Sequence, residues 1–391
     1  MVGMIVLAAA TALLAWVYLG YPVVVALLAR IAPWKARPSE PLPSLCVAIA
    51  VHDGDGVIAE RIADAFAQEV GGVHLTEVLI GSDGSRDGTD RIVAALAQVE
   101  PRLRLLALPR GGQTTTQDAL FRAATADVVV LTDAETRFEP GCLAALADAF
   151  RDPRVGAATG RLEWRDERAT ATSRNEGLYW RYERRVRELE SRAGCLTAVT
   201  GALLAVRRTN YRPVPPTASM DHLLPLYIRE AGGAVVYIPG AVATDRPISG
   251  LREQFRNRTR TASRGIRANF SMVGRLPPWR RPRAALAIWS HKLLRWATPL
   301  LVVAAFIAGV AESASGSWFG AFVAGAIVLG VIAAVVGQIL ASSGRRPARP
   351  LAFARALAIV NLAFARAWLD VLRGRRIEAW TGLEWERPSQ G

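Results

Sequence analysis

The chain has 391 residues, 51% of them hydrophobic, and a formal net charge of +14 from 48 basic and 34 acidic residues. This length allows one large domain with additional segments. The three cysteines, Cys46, Cys142 and Cys195, are widely spaced and odd in number, which argues against a disulfide framework and a cysteine zinc site and favours a reducing, cytoplasmic compartment. Basic residues gather beside the hydrophobic stretches, so membrane lipids, and not nucleic acid, are the expected partners.

Residues 1–30 are predicted to form an N-terminal transmembrane helix. The stretch has no charged side chain before Arg30 and is long enough to cross a bilayer. It lacks the basic start of a cleaved signal peptide. Lys35 and Arg37 follow it, and the positive-inside rule therefore places the next domain in the cytoplasm.

Two further spans are predicted in residues 296–341. Residues 275–296 mix Arg, Lys, His and Trp with aliphatic residues, which is typical of an interfacial helix. The connection Glu312–Ser317 has no basic residue, so we expect it outside.

Residues 351–373 leave two alternatives open. Arg355 and Arg366 share one face of a helix there, because eleven residues bring a helix back to nearly the same direction. The segment is either a third C-terminal transmembrane helix or an amphipathic interfacial helix. Residues 374–391 are expected to be a cytoplasmic or flexible tail.

Residues 43–271 read as a soluble domain of alternating strands and helices. Such alternation indicates an α/β fold, a Rossmann-like, mostly parallel sheet covered by helices. The predicted strands are Leu45–Val51, Glu77–Ile80, Leu103–Leu108 and Val128–Leu131, and the predicted helices are Val57–Gln68, Asp87–Gln98 and Pro140–Phe150. In sheets of this kind ligands bind at the carboxyl ends of the strands.

Three of these strands end in acidic loops, namely His52–Gly56, Ser82–Thr89 and Thr132–Thr136. Any one of them alone is typical of a turn or a helix N-cap. Three acidic loops on one sheet edge instead favour a ligand with hydroxyl and phosphate groups. Asp133 and Glu135 lie two residues apart and can share a Mg²⁺ or Mn²⁺ ion, since hard cations take oxygen ligands.

The order of these motifs resembles family 2 glycosyltransferases with the GT-A fold. Ser82–Thr89 is similar to the family's D-x-S-x-D-x-T signature, and Asp133-Ala-Glu135 to its metal-binding D-x-D. Thr200–Arg208 looks like the acceptor-side segment that ends in paired arginines. Met220-Asp221, with the strand-like segment after it, looks like the family's acidic pair.

The resemblance implies a membrane-bound, inverting hexosyltransferase of a bacterial-type inner membrane, multi-pass, with its catalytic domain in the cytoplasm. It implies a nucleotide-sugar donor, a lipid-linked or growing polysaccharide acceptor, and Mg²⁺ or Mn²⁺ as cofactor. Asp221 would be the general base, and Asp133 and Glu135 the metal ligands. The implied nucleotide-binding residues are Asp53, Asp55, Asp83, Gln113 and Asp133; those for the acceptor or diphosphate are Thr200, Gly201, Arg258 and Arg260.

Several positions depart from the family pattern. Asp53 and Gly54 replace the usual Asn-Glu, Gln113 replaces a common Lys, and Met220 replaces the first acid of the pair. The Q-x-x-R-W motif of processive synthases is absent from Gln254–Thr261. Two alternatives stay open for the arginines of this segment: they bind a diphosphate, or they form a solvated or lipid-facing basic face. A catalytically impaired nucleotide-binding scaffold and a processive synthase remain alternatives, and the sequence leaves the oligomeric state open.

Overall fold

A computed structural model describes residues 1–68, 72–164, 171–245 and 250–375. The strands within these residues are β1 (Ser44–Val51), β2 (His74–Asp83), β3 (Leu103–Leu108), β4 (Val128–Asp133), β5 (Arg137–Phe138), β6 (Val155–Trp164), β7 (Leu204–Arg207) and β8 (Ala234–Asp245). They form one sheet in the order β3-β2-β1-β4-β7-β6-β8-β5.

Helices cover the sheet and extend from the domain at both ends. In chain order they are α1 (Val2–Ile31), α2 (Ile58–Phe66), α3 (Thr89–Ala97), α4 (Gln113–Ala123), α5 (Cys142–Ala149), α6 (Ala171–Arg192), α7 (Met220–Ala231), α8 (Leu251–Val273), α9 (Pro282–Trp296), α10 (Thr298–Ala314), α11 (Trp318–Ser342) and α12 (Arg349–Leu372).

The first half of the sheet is parallel, as the sequence predicts. β1 pairs in parallel with β2 and β4, and β2 pairs in parallel with β3. β7 runs antiparallel between β4 and β6. Every residue of β1 from Leu45 to Val51 is buried, because helices pack on both faces of a parallel sheet and leave no polar side. The predicted mostly parallel α/β fold is confirmed.

Among the residues that the structure describes, three helices, α1, α11 and α12, are long and apolar enough to cross a membrane. α9 and α10 meet at an angle of 62°, and together they make either a broken span or a re-entrant loop. Pro299 explains the break, because it has no N–H to donate to the preceding turn. The hydroxyl of Thr298 donates to the carbonyl of Arg295 at 2.7 Å instead, and Trp368 of α12 donates to the carbonyl of Trp296 at 3.0 Å.

Two arginines in the interior of α12 have polar partners within the protein. Arg355 donates to Gln338 of α11 at 2.7 Å, and Arg366 lies 3.3 Å from Asp370. Apolar residues of α12, including Phe364, pack in the same core cluster as residues of α8. Whether α12 spans the membrane or lies on it stays a prediction, as do the proposed domain bounds.

Candidate active site

Strand pairing brings the acidic loops to one edge of the sheet. In the register of the sheet, Val51 of β1 lies beside Ser82 of β2, and Ala50 lies beside Asp133 at the end of β4. The loops that follow β1, β2 and β4 therefore begin side by side. The parallel topology produces this convergence, since all three strands point the same way.

The first two loops are joined by hydrogen bonds. The carboxylate of Asp53 accepts the backbone N–H of Arg86 at 2.7 Å, and the N–H of Asp55 donates to the Asp87 carboxylate at 2.9 Å. Asp53 has φ of +51°, a left-handed conformation that Asp tolerates better than most residues with a side chain. Both acids lie next to the second loop, but neither lines the cavity described below.

Asp83 is fully buried and holds the loop before α4. Its Oδ1 accepts the backbone N–H groups of Gly111 and Gly112 at 2.6 and 3.0 Å, and its Oδ2 accepts from Arg110 at 2.7 Å. Gly112 has φ of +86°, where a side chain would be strained. Asp83 thus positions Gln113, the first residue of α4. Both carboxylate oxygens of Asp83 have protein partners in this conformation.

A cavity of about 250 Å³ opens beside these loops. Six of the predicted site residues line it: Gln113, Asp133, Thr200, Gly201, Asp221 and Arg260. Asp53, Asp55, Asp83, Glu135 and Arg258 do not. The cavity therefore joins the donor-side and acceptor-side motifs, which lie far apart in the chain.

The surroundings of Asp133 perturb its carboxylate strongly. Burial and the negative charges of Asp245 and Asp221 together raise the pKa of Asp133 to about 7, while the charges of Arg260 and Arg61 oppose this rise. The amide of Gln113 donates to Asp133 Oδ1 at 3.0 Å. Carboxylates crowded in this way resist ionisation unless positive charge is nearby.

Asp221 lies in the first turn of α7, which begins at Met220 with Ser219 at the N-cap. Burial raises the pKa of Asp221, but the His222 ring, a hydrogen bond from Ser219 and the charge of Arg264 outweigh burial and hold the pKa below its usual range. The carboxylate is therefore ionised at neutral pH. Gly201 packs against it, since a Cβ on Gly201 would lie 3.5 Å from Asp221 Cγ.

Helix α8 supplies positive charge to the cavity. Arg260 and Arg264 are four residues apart, so they share a helix face, and both line the cavity. Burial lowers the pKa of Arg260, and the neighbouring charge of Arg264 lowers the pKa further. Asn257 accepts a hydrogen bond from Arg260 at 2.7 Å. The paired guanidinium groups suit a doubly charged or bidentate anion.

Several residues that line the cavity were not predicted from the sequence. Asp245 ends β8 as Asp133 ends β4, so the same signal, an acid directly after an apolar strand, was available for it. Five other lining residues that were not predicted are polar side chains of helices and carried no comparable signal: Gln117, His222, Asn257, Thr261 and Arg264.

The oxygen ligands at the cavity suit a divalent cation only in part. Asp133 and Asp245 both reach the cavity, whereas no three His, Cys, Asp or Glu side chains among the described residues converge on one metal position. Mg²⁺ is usually held by one or two carboxylates together with substrate phosphates. The residues thus fit a cation that the protein and a bound diphosphate would hold jointly.

A sheet whose acidic strand ends line one cavity together with a basic helix is the arrangement expected of a GT-A glycosyltransferase that uses a nucleotide sugar. Residues 43–263 match the family described as glycosyltransferase like family 2. The chain belongs to that family and is an enzyme, and the predicted class is confirmed.

Relatives and solved structures agree with this assignment. The chain is 27% identical over 320 residues to an N-acetylglucosaminyltransferase of Rhizobium sp. (strain N33), which covers 78% of this chain and 70% of the relative. A second N-acetylglucosaminyltransferase, from Rhizobium leguminosarum bv. viciae, is 25% identical, covering 54% of this chain and 53% of the relative. A mannosyltransferase from Pyrobaculum calidifontis, solved with GDP-mannose and Mn²⁺, has the same fold, with a TM-score of 0.68 and 22% identity over 95% of this chain and 100% of that one.

Proposed function

We propose that the enzyme transfers N-acetylglucosamine or a related hexose from a UDP-sugar, with inversion, to a lipid-linked or growing glycan acceptor at the cytoplasmic face of a membrane. The observation that carries this proposal is the cavity in which Asp133, Asp221 and Arg260 meet. The sugar is suggested by the relatives named N-acetylglucosaminyltransferases.

The donor is assigned to the side of the cavity formed by Asp133, Gln113 and Arg260. A divalent cation bound there with Asp133 and Asp245, and with Glu135 from the same loop, would neutralise phosphate charge and make the nucleotide a better leaving group. Arg260 would bind the diphosphate directly. Asp53, Asp55 and Asp83 are assigned to the nucleoside end, and the bonds that Asp83 makes to Arg110, Gly111 and Gly112 would have to rearrange for direct contact.

Asp221 is assigned the acceptor hydroxyl. An ionised carboxylate on the cavity wall can take the hydroxyl proton as the oxygen attacks the sugar carbon from the side opposite the leaving group. One displacement of this kind inverts the anomeric centre. Thr200 and Gly201 would form the wall against which the acceptor lies.

The position of the cavity supports a membrane-bound acceptor. His222, next to Asp221, packs against the Trp296 ring with centroids 6.3 Å apart. Trp296 ends α9, at the bend where the chain turns into the apolar helix α10. In this proposal the base therefore lies beside the segment that would enter the membrane, where a lipid-linked sugar would present its hydroxyl.

The proposal can be tested with purified protein in detergent, UDP-[¹⁴C]N-acetylglucosamine, Mn²⁺ and a polar lipid extract of bacterial inner membranes. We expect label in the organic-solvent phase and a product of inverted anomeric configuration by NMR. Calorimetry with UDP and Mn²⁺ measures donor binding separately. Label confined to the aqueous phase would exclude the lipid acceptor, and absent UDP binding would exclude the donor assignment.

A further inference from the structure

A cluster of buried charged side chains lies outside the cavity, where α1, α6 and α9 meet. It contains Glu183 and Glu190 of α6, His291 and Arg295 of α9, and Tyr21 of α1. The exposed fraction of these five residues is between 1% and 6%. Buried ionic groups are costly, and apolar packing would join three helices at least as well. The cluster therefore calls for an explanation other than helix packing.

Short polar contacts join the three helices. His291 Nδ1 lies 2.7 Å from Glu190 Oε1, and its Nε2 lies 3.0 Å from Glu183 Oε1. The ring of His291 therefore lies between two carboxylates that are seven residues, or two turns, apart on α6. Arg295 lies 3.0 Å from the second oxygen of Glu183, and the hydroxyl of Tyr21 donates to Glu190.

Arg187 extends this cluster to the cavity. It follows Glu183 by four residues and precedes Glu190 by three, so all three lie on one face of α6. Its Nε lies 3.9 Å from Glu183 Oε1, and its Nη1 donates to the hydroxyl of Thr200 at 2.9 Å. Thr200 lines the cavity. The guanidinium thus connects a buried carboxylate to the wall of the site.

The segment that Arg187 contacts lies directly against the proposed base. The N–H of Thr200 donates to the hydroxyl of Thr159 at 3.2 Å, and Thr200 forms a bridge with Leu203. The next residue, Gly201, packs on Asp221 without intervening atoms. A shift of Thr200 would therefore change the space in front of the Asp221 carboxylate.

We propose that Arg187 is a positioning residue for the acceptor side of the reaction. The buried cluster holds Glu183 in place. Contacts with Glu183 and Thr200 hold Arg187, and Arg187 in turn holds the Thr200–Gly201 wall against Asp221. Because Tyr21 belongs to α1 and His291 to α9, the packing of these helices is coupled to the acceptor wall. This inference rests on the proposed function, which gives that wall its acceptor.

The activity test compares Arg187→Met with Arg185→Met. Arg185 lies on the same helix, is exposed, and pairs with Glu188 at 3.1 Å, so its loss removes the same charge without touching the cavity. We expect Arg187→Met to lower transfer into the lipid extract at least tenfold, mainly through a higher KM for the extract. UDP binding with Mn²⁺ should stay within twofold, and Arg185→Met should match the wild type.

Thr200 provides the second half of the test. Thr200→Ser keeps the hydroxyl that Arg187 contacts and should retain most activity, whereas Thr200→Val should behave like Arg187→Met. The two losses should not add in the double variant, because they remove the same contact. Additive losses, or a UDP affinity that falls together with transfer, would overturn the proposal.

Hydrogen exchange gives a readout that needs no acceptor. A peptide covering residues 197–203 should exchange faster in Arg187→Met and in His291→Gln than in the wild type or Arg185→Met. If the wild type labels no lipid, the acceptor assignment fails while this measurement still decides the positioning role. Unchanged exchange in a folded Arg187→Met protein refutes the inference, and this variant suffices if His291→Gln does not fold.

Discussion

Replacing Asp221 by Asn separates catalysis from folding at the proposed base. Ser219 is the N-cap of α7, so the substitution removes no cap. The contact between Asp221 and His222 is 3.3 Å long, near the limit of a hydrogen bond, so little hydrogen bonding is lost there. Asn can still accept the hydrogen bond from Ser219, so the substitution mainly removes the attraction to Arg264 and the negative charge at a helix start, the latter typically about 0.3–1 kcal/mol. We therefore expect only a small loss of stability.

The effect on catalysis should be much larger. Removing a general base costs about 10²- to 10⁴-fold in rate, which corresponds to about 3–5 kcal/mol of activation free energy at about 1.36 kcal/mol per factor of ten. UDP affinity should change far less, because the carboxylate acts on the acceptor hydroxyl. Transfer from UDP-[¹⁴C]N-acetylglucosamine should collapse in a protein with nearly unchanged melting temperature and UDP binding.

Asp90→Asn is the matched control. Asp90 is also an acid in the first turn of a helix, α3, and it does not line the cavity. Both variants lose the same charge at the same helical position, so they should lose similar stability, while only Asp221→Asn should lose activity. Transfer within threefold of the wild type in Asp221→Asn would refute the base assignment.

Three further outcomes are expected. Asp133→Asn should abolish the Mn²⁺-dependent part of UDP affinity in a folded protein, and calorimetric UDP binding by the wild type that does not change in EDTA would contradict the cation site. A cysteine at Ser315 should react with an impermeant thiol reagent in intact cells, while a cysteine at Val99, an exposed position of the catalytic domain, should not. The three native cysteines are buried and should not react. Labelling at Val99 but not at Ser315 would refute the topology. Gly265→Ala should lower the apparent melting temperature, because the added Cβ would lie 2.5 Å from the Trp296 ring. Overpacking of this kind typically costs about 1–3 kcal/mol of stability. A melting temperature equal to that of the wild type would show that this contact relaxes without cost.

The alternating half of the domain could be predicted from the sequence because its signals are local. β3 has the predicted bounds Leu103–Leu108, and the predicted strand at Val128 extends to Asp133. The side-by-side position of the first, second and fourth loops follows from parallel pairing alone. The two hydrophobic ends were equally readable, since apolar length is a property of the chain itself.

The part of the site that β8 and α8 contribute could not be predicted, because it depends on tertiary contacts. Asp245 and Arg264 reach the cavity because β8 pairs with β6 and because one face of α8 lines the cavity, and neither arrangement has a local signal. The same holds for Asp83, whose acidic motif predicts a ligand contact but whose oxygens bind Arg110 and two backbone N–H groups here.

The sequence by itself determined the α/β domain, its apolar flanking helices and the acidic residues at the strand ends, because strand periodicity, hydrophobic length and turn chemistry act over a few neighbouring residues. Only the tertiary structure decided which charges meet. Arg187 and Thr200 are thirteen residues apart and His291 lies more than a hundred residues beyond Arg187, yet Arg187 contacts Thr200, and the buried Glu183 lies between Arg187 and His291. Such pairings depend on how helices and sheet pack, since a buried charge is stable only where packing brings it a partner.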